Sequence, residues 1–356
     1  MNKLKGEIVK IIYGICGEGM GHASRSRIVI DYLLKQHHEI TIAAGGKAYV
    51  YLSKFFDSVI KIEWPGVVYH HNEMKMLHSI LLMSYKTLVG SIPSFIILKK
   101  MIKKIHPDVL ITDGEPISYY AGRFSGIPCV SIDNPQAILY RKYPLKGNEL
   151  LSWIVLSIAV KISIFNADQY LIYDFSDKQL SNPKVTFLKP LIQKGIKEQK
   201  PSYGNHIFVY QTSTSNNTLF SLLKNINEEF VIYGFNKECK EGNLYFKKFN
   251  EHEFYKDISE AKAVITNGGF TVLSEALYLK KPVLSIPVQH QFEQIMNGKM
   301  ITQLEMGMST QQISLQSINE FLSKLEFFKK NLKKYNSGNQ KEILEFINNQ
   351  IQHLKK

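Results

Sequence analysis

Cysteine is scarce in this chain of 356 residues, which has three, Cys16, Cys129 and Cys239. They lie far apart in sequence and form none of the closely spaced pairs that bind zinc, and they are too few for a disulfide framework. The first apolar run, from Ile11 to Tyr13, ends at Gly14 and is much shorter than the core of a signal peptide. We therefore predict a protein of the reducing cytoplasm.

An uninterrupted apolar run of membrane-spanning length is also missing. The stretch from Ser79 to Leu98 is largely apolar, but a lysine, a glycine and a proline interrupt it, which argues against a spanning helix. A cluster of lysines at positions 99, 100, 103 and 104 follows directly, and Leu150 to Val160 is a second, shorter apolar stretch. Apolar surface beside lysines predicts peripheral binding to a membrane, with burial in a core as the alternative.

Acidic charge is in short supply, since 44 basic residues against 31 acidic ones give a formal net charge of +13. Binding of nucleic acid would need basic and aromatic residues interleaved on one surface, or a known binding module, and the sequence has neither. An anionic membrane surface is the better partner, because each basic side chain near anionic lipid contributes roughly 1 kcal/mol.

Several nucleotide and metal motifs are absent as well. The sequence has no Walker motif and no Asp-x-Asp, so we expect no metal and no cofactor. A glycine-rich loop does follow the first strand, but a dinucleotide fingerprint starting at Gly17 needs a third small residue where His22 stands. The second strand also ends at Ala43 to Gly46 without an acid for a ribose hydroxyl. Together these absences argue against a dehydrogenase.

The length suits two domains, and strand and helix patterns alternate through both halves. This alternation predicts an α/β protein with two Rossmann-like, doubly wound parallel sheets. We place the first domain at residues 1–190 and the second at residues 191–336, with a linker around Pro190 to Pro201 and a terminal amphipathic helix at residues 337–356.

The segment from Thr266 to Ala276 carries the strongest signal in the chain. It reads as the end of a buried strand, a turn at Gly268 and Gly269, and a helix. The first N–H groups of a helix have no partner within it, and together with the helix dipole they favour a phosphate group. Glu275 lies roughly two turns further along, within reach of a ribose diol. The segment therefore predicts half of a nucleotide-sugar site.

This segment resembles the donor-binding segment of GT-B glycosyltransferases, such as the peptidoglycan N-acetylglucosaminyl transferase and the UDP-glucuronosyl and plant glucosyl transferases. The shared pattern is Asn-Gly-Gly-Phe-Thr-x-x-x-Glu-Ala, then Lys-Pro-Val-Leu-x-x-Pro, then Phe-Glu-Gln-x-x-Asn. The resemblance implies two domains facing across a cleft, and a terminal helix that returns to the first domain. The donor-binding residues that it implies are Gly268, Gly269, Phe270, Thr271, Glu275, Glu293 and Gln294.

The N-terminal loop resembles the glycine-rich, histidine-containing loop of the same fold family. Its pattern Gly-Glu-Gly-x-Gly-His-x-x-Arg-Ser is similar to an archaeal and bacterial branch of that family. Gly19 and Gly21 would let the backbone turn and give a substrate close access. His22 is the candidate base for an acceptor hydroxyl, since an imidazole has an unperturbed pKa of about 6.5.

A catalytic histidine usually needs a residue that orients it. Asp113 follows a predicted strand, and the carboxyl ends of parallel strands share one edge of a sheet, so Asp113 and His22 are expected to meet there. Glu115 is the rival for this role, and capping of a helix is the alternative for both acids. Arg25 is either a ligand for a phosphate or a surface residue.

The corresponding loop of the second half contains Ser213 and Thr214, whose hydroxyl groups suit either contact with a phosphate or helix capping. The expected reaction is transfer of a sugar from a nucleoside diphosphate sugar to a hydroxyl acceptor. The resemblance favours UDP-sugars and inversion at the anomeric carbon, and the basic, apolar first half favours a lipid or lipid-linked acceptor. A nucleotide-sugar epimerase or hydrolase and a non-catalytic binding subunit are the alternatives.

Overall fold

The computed structural model describes residues 7–63, 69–70, 73–74, 76–143, 145, 147–211, 217–289 and 291–355. The strands of these residues are β1 (Lys10–Ile15), β2 (Glu39–Ala44), β3 (Val59–Lys61), β4 (Tyr69–His70), β5 (Glu73–Met74), β6 (Val109–Asp113), β7 (Cys129–Asp133), β8 (Gln169–Tyr173), β9 (Val185–Leu188), β10 (His206–Tyr210), β11 (Glu229–Tyr233), β12 (Cys239–Glu241), β13 (Leu244–Phe246), β14 (Ala263–Thr266), β15 (Val283–Ser285) and β16 (Gly307–Ser309).

The helices of the described residues are α1 (Gly19–Lys35), α2 (Gly46–Leu52), α3 (Met76–Ile105), α4 (Pro116–Arg123), α5 (Ala137–Tyr140), α6 (Asn148–Ser163), α7 (Lys194–Lys197), α8 (Asn217–Leu223), α9 (Glu251–Glu260), α10 (Phe270–Tyr278), α11 (Phe292–Gln303), α12 (Leu315–Ser323), α13 (Leu325–Lys334) and α14 (Gln340–Leu354). No helix within the described ranges is both long and apolar enough to cross a membrane.

The first half is built on a parallel sheet with the strand order β3-β2-β1-β6-β7-β8-β9 among the described residues. Its central strands are short apolar runs that are buried on both faces, as helices on both sides of a parallel sheet require. The chain order reverses between β1 and β6, where Ile15 pairs with Asp113 at the carboxyl ends of both strands. Ligands of such sheets bind at this point of reversal.

The second half repeats this plan with the order β12-β13-β11-β10-β14-β15-β16 in the described part. Its strands are parallel except for β12, which forms an antiparallel pair with β13. The order reverses between β10 and β14, and Tyr210 pairs with Thr266 at their carboxyl ends. The prediction of two doubly wound α/β sheets is confirmed.

The two halves touch at several points around a cleft between these sheet edges. Phe175, after β8, stacks on Phe270 of α10 with ring centroids 4.7 Å apart. Lys299 of α11 donates a hydrogen bond of 2.7 Å to Glu149 of α6. The terminal helix α14 packs against α1 of the first half, where Asn348 lies 2.7 Å from the imidazole of His38. The predicted linker region contains the short helix α7.

Candidate functional site

His22 and Asp113 lie together at the point where the first sheet reverses. His22 is in the first turn of α1, which begins at Gly19 with a φ of +73°, a conformation that glycine adopts without strain. Its Nδ1 is 2.8 Å from Oδ1 of Asp113, the last residue of β6. Asp113 is buried, whereas the side chain of His22 is 14% exposed. The structure therefore brings the candidate base and its candidate orienting group into direct contact.

Arg25 completes this cluster, which differs from the phosphate contact or surface position predicted for it. Its Nε donates to Asp113 Oδ2 at 2.8 Å, and its Nη2 donates to Oδ1 of the same carboxylate. Arg25 is itself buried. A guanidinium engaged in this way neutralises Asp113 and is withdrawn from a ligand in the cleft.

The charge of Asp113 is fixed by these neighbours. Burial by itself would raise its pKa, but the Arg25 and His22 charges and hydrogen bonds outweigh burial and lower the pKa of Asp113 to about 2. Ser26 adds a hydrogen bond of 2.9 Å to Oδ2. At neutral pH the carboxylate is therefore ionised and held in place by three side chains.

The tautomer of His22 decides what the imidazole can do. With the proton on Nδ1 the ring donates to Asp113, and Nε2 keeps a lone pair. With the proton on Nε2, the Nδ1 atom accepts instead from Arg25, whose Nη2 is 2.7 Å away. Only the first tautomer leaves Nε2 able to accept a proton.

Glu115 has a structural role that removes it as the rival of Asp113. Its carboxylate accepts hydrogen bonds from the backbone N–H groups of Ile117 and Ser118, at 2.8 Å and 2.7 Å, and so caps the N-terminus of α4. Burial raises its pKa, and the capping bonds oppose that shift. The capping alternative thus holds for Glu115 and not for Asp113.

The corresponding edge of the second sheet carries the glycine turn. Gly268 has a φ of +88°, and a Cβ at this position would lie 2.6 Å from Ser285 Oγ and 3.0 Å from the Gln294 carbonyl. Asn297 donates a hydrogen bond of 3.1 Å to the Gly268 carbonyl. Gly269 is the N-cap of α10, where no side-chain hydrogen bond caps the helix. The N-terminus of α10 therefore carries no side-chain cap.

Glu275 lies on α10 beneath this helix start. It is 4% exposed, and burial together with the charge of Glu251 raises its pKa to about 8. Among the described residues, no group forms a hydrogen bond or ion pair with its carboxyl group. A buried carboxyl group without a protein partner is costly, and hydroxyl groups of a ligand would satisfy it.

Phe270 and Thr271 link the two glycine loops. Phe270 is buried, and its ring is used in the stack on Phe175, so this position offers a donor its backbone N–H rather than its ring. Thr271 lies opposite α1, with its Oγ1 only 2.6 Å from where a Cβ of Gly21 would be. The N-termini of α1 and α10 therefore meet across the cleft, and Gly21 permits this approach.

The side chains of Glu293 and Gln294 have different surroundings. Glu293, in the first turn of α11, lines the cleft. Gln294 is buried and accepts a hydrogen bond of 2.9 Å from the backbone N–H of Val288, so its Oε1 holds the loop before α11. Ser213 and Thr214 lie outside the described residues.

The cleft encloses a cavity of about 310 Å³ between the two halves. Much of its wall is apolar, and its polar lining includes three residues at the end of β7 that the sequence analysis missed. These residues are Asp133, Asn134 and Gln136. A signal for them was available, because the apolar run at residues 128–132 predicts a strand that ends just before Asp133, and its carboxyl end belongs to the same sheet edge as Asp113.

Burial raises the pKa of Asp133 to about 6, against the opposing hydrogen bond from the Gln136 N–H. Within the part of the chain that the structure describes, no group of three or more histidine, cysteine, aspartate or glutamate residues could hold a metal ion.

The family model described as Glycosyl transferase family 1 matches residues 9–326, most of the chain. A protein from Methanosarcina acetivorans, named as an uncharacterized glycosyltransferase, is 25% identical over 330 residues, covering 82% of this chain and 81% of that protein. The solved glycosyltransferase of kitacinnamycin superimposes with a TM-score of 0.68 at 14% identity, over 97% of this chain and 99% of that one.

UGT2 of Phytolacca americana, solved with UDP-2-fluoroglucose and pterostilbene, gives a TM-score of 0.66 at 15% identity, over 97% and 99% of the two chains. These structural neighbours share the fold, in which two doubly wound domains face across a cleft. The chain therefore belongs to glycosyl transferase family 1 and is a glycosyltransferase with the GT-B fold.

Proposed function

We propose that this glycosyltransferase transfers a sugar from a nucleoside diphosphate sugar to an acceptor hydroxyl, and that the donor binds at the start of α10. The observation that carries the proposal is Glu275, which is buried about a turn and a half from the uncapped N-terminus of α10 and has no hydrogen-bond or ion-pair partner among the described residues. The N–H groups after Gly268 suit a diphosphate, and the carboxyl group of Glu275 suits the two hydroxyls of a ribose.

The nucleotide base is proposed to be uracil. The support is the resemblance of the donor segment to UDP-sugar enzymes and the UDP-sugar analogue bound to the Phytolacca americana neighbour. Glu293, which lines the cleft, is proposed to accept hydrogen bonds from the hydroxyls of the donor sugar. Gln294 is proposed to position this loop through Val288, in addition to any contact with the sugar.

His22 is proposed as the general base. In the tautomer that donates Nδ1–H to Asp113, Nε2 accepts the proton of the acceptor hydroxyl as its oxygen attacks the anomeric carbon. The bond from that carbon to the diphosphate oxygen breaks, and the N-terminus of α10 stabilises the charge that develops on the leaving group. Asp113 then stabilises the imidazolium. A single displacement of this kind inverts the anomeric carbon and does not require a metal.

The test of this proposal is release of the nucleoside diphosphate from UDP-, GDP- and dTDP-sugars in the presence of an acceptor extract. His22→Ala should lose about 100- to 10,000-fold in kcat if proton abstraction is removed. His353→Ala, an exposed histidine on α14, is the matched control and should keep full activity. Unchanged activity of His22→Ala would remove His22 from the mechanism.

We also propose that the acceptor is lipid or lipid-linked, and that the enzyme works in the cytoplasm and docks on an anionic membrane. Leu151, Ile154, Ile158 and Ile162 are exposed and share one face of α6, because they recur at helical spacing. Tyr120 links this face to the next exposed group, since it donates to the Ile162 carbonyl and stacks on Phe124.

Lysines lie near these exposed apolar residues. Lys99 donates a hydrogen bond of 3.2 Å to the carbonyl of Phe124, and Lys100, Lys103 and Lys104 continue along α3 from it. Lys161 is exposed on α6 itself. We name the exposed residues Leu151, Ile154, Ile158 and Ile162 with Phe124 the apolar face. Apolar groups flanked by lysines have the composition that binds anionic bilayers.

A further inference from the structure

The cavity in the cleft is lined by acidic residues, although the protein as a whole is basic. Glu18, Asp133 and Glu293 supply carboxyl groups to its lining, and the described lining residues include neither lysine nor arginine. The nearby Arg25 is committed to Asp113. A phosphate or carboxylate in this cavity would face the acidic side chains of Asp133 and Glu293 and no lysine or arginine of the described lining, which is unfavourable in a partly buried site.

Asp133 is held at the cavity wall in a way that leaves acceptor capacity unused. It is 1% exposed, at the carboxyl end of β7, one strand from Asp113. Ser131 Oγ donates to its Oδ2 at 3.1 Å, and the Gln136 N–H donates to its Oδ1 at 3.0 Å. A carboxylate has about four lone-pair positions, so these two bonds leave room for a ligand that donates hydrogen bonds.

Gln136 adds a second, independent observation. It also lines the cavity, it is 2% exposed, and its Oε1 is buried without a hydrogen-bond partner among the described residues. Buried amide groups in folded proteins are nearly always paired, so an unpaired one beside a cavity indicates a partner that arrives with a ligand. Asp133 and Gln136 belong to the same strand-to-helix turn, and both residues line the cavity.

The rest of the cavity wall is apolar. Ile138, Leu156, Val160 and Phe292 line the cavity with apolar side chains. A ligand that fits this lining has an apolar part and a head group that donates hydrogen bonds, and it carries no negative charge inside the cavity.

Building on the glycosyl transfer argued above, we propose that Asp133 and Gln136 recognise the acceptor and select a hydroxyl-rich, non-anionic head group on an apolar aglycone. In this arrangement the carboxylate of Asp133 accepts hydrogen bonds from hydroxyls next to the one that reacts, and Oε1 of Gln136 accepts one from a further hydroxyl of the same head group. Anionic groups of a longer acceptor lie outside the cavity. Asp133 is a specificity residue, and His22 remains the base.

The test uses two probes that differ only at one carbon, 4-nitrophenyl β-D-glucoside and 4-nitrophenyl β-D-glucuronide. Their dissociation constants are measured by calorimetry on the full chain, with and without saturating nucleoside diphosphate. The glucoside should bind on the order of tenfold more tightly than the glucuronide, the size expected for one hydrogen bond to a charged group. Asp133→Asn should weaken binding of the glucoside by a similar factor, and the dissociation constants of the two probes should become more alike.

Asp168→Asn is the matched control. Asp168 also accepts a backbone hydrogen bond on β7, from Cys129 at 2.8 Å, but at the opposite end of the strand. Asp168→Asn should keep the wild-type preference for the glucoside over the glucuronide. Equal or tighter binding of the glucuronide, an unchanged preference in Asp133→Asn, or no binding of either probe would overturn the proposal. Binding of the nucleoside diphosphate alone is measured separately. A failure of the proposed donor site can therefore be told apart from a failure of the proposed acceptor site.

Discussion

Asp113 accepts hydrogen bonds from His22, Arg25 and Ser26, and its substitution tests how the cluster is held together. Asp113→Asn leaves the buried guanidinium of Arg25 without its counter-charge. We expect the free energy of unfolding at pH 7 to fall by about 3–5 kcal/mol, as for other broken buried ion pairs. Urea unfolding measures the change.

The pH dependence of this effect has a definite sign. The pKa of Asp113 is lowered to about 2 in the folded protein, from an ordinary 3.8. Its contribution is therefore fully present above about pH 4 and is lost as the pH falls towards 2. Asp31→Asn, which removes the half-buried partner of Arg27 on α1, is the control and should cost under about 1 kcal/mol. Equal losses in both variants would contradict the account.

The effect of Glu275 on stability should depend on pH in the opposite direction to that of Asp113. Its folded-state pKa is raised to about 8 from 4.5, so the unfolded chain ionises first as the pH rises. Stability is unaffected below about pH 4.5 and decreases between about pH 4.5 and 8. Glu275→Gln should therefore match the wild type at pH 4.5 and be more stable by a few kcal/mol at pH 8. Parallel stability curves for the two proteins would show that the carboxyl group is not held neutral.

At the residue scale, the sequence predicted the acids and the histidine better than their partners. Asp113 follows an apolar strand and His22 follows a glycine loop, so sheet topology alone placed both at one edge. The pairing of Arg25 with Asp113 depends on how α1 lies against the sheet, which no local pattern specifies. Asp133 was missed because its turn lacks the glycines that marked the other loops.

At the scale of elements, the start of α10 allows a matched pair of glycine substitutions. Gly268→Ala would put a Cβ against Ser285 and the Gln294 carbonyl, at a positive φ, and we expect it to cost about 1–3 kcal/mol of stability. Gly269→Ala has open space around the new Cβ and should unfold nearly as the wild type does. Urea unfolding and nucleoside diphosphate titrations compare the two.

The second variant isolates the proposed phosphate contact. The Cβ of Gly269→Ala would occupy the open side of the helix N-terminus, so donor affinity should fall at least several-fold while stability is kept. An unchanged affinity in this variant would place the diphosphate elsewhere.

The elements that the sequence predicted well are the buried, apolar ones. The apolar runs at residues 8–15, 108–112, 128–132 and 263–265 predict four strands, which agree with β1, β6, β7 and β14 within about two residues, because strands buried on both faces read as continuous apolar runs. The strands β8 and β9 were missed although most of their residues are buried, because the sequence from residue 150 to 203 was interpreted as an apolar helix and a linker. The hairpin strand β12 and the edge strand β16 were missed as well. β12 and β16 have three residues each, too few to show a period, and their pairing depends on neighbours that are distant in sequence.

At the scale of the whole molecule, the resemblance implied the cleft, whereas composition alone gave only two α/β halves. The contacts that close the cleft, such as Phe175 on Phe270 and Glu149 with Lys299, join residues far apart in the chain. No motif encodes them. The net charge of +13 does not predict the charge of the cavity, because the described lining of the cavity contains acidic residues and neither lysine nor arginine.

The apolar face gives a prediction about the molecule as a whole. The double variant Ile158→Glu/Ile162→Glu should lose most of its flotation with vesicles that contain phosphatidylglycerol, because it puts negative charge into the contact. Val50→Glu, at an exposed position on α2, is the control and should float as the wild type does. Wild-type protein that remains at the bottom of the gradient would refute membrane docking.

The central claim is the donor site, and a thermal-shift panel of UDP, GDP, dTDP, CMP and NAD on the wild type and Glu275→Gln tests it most directly. One nucleoside diphosphate, with UDP expected, should stabilise the wild type by about 2.7 kcal/mol at a hundred times its dissociation constant. Glu275→Gln should lose most of that shift. A shift with NAD alone, a shift with none of the five, or an equal shift in both proteins would contradict the account.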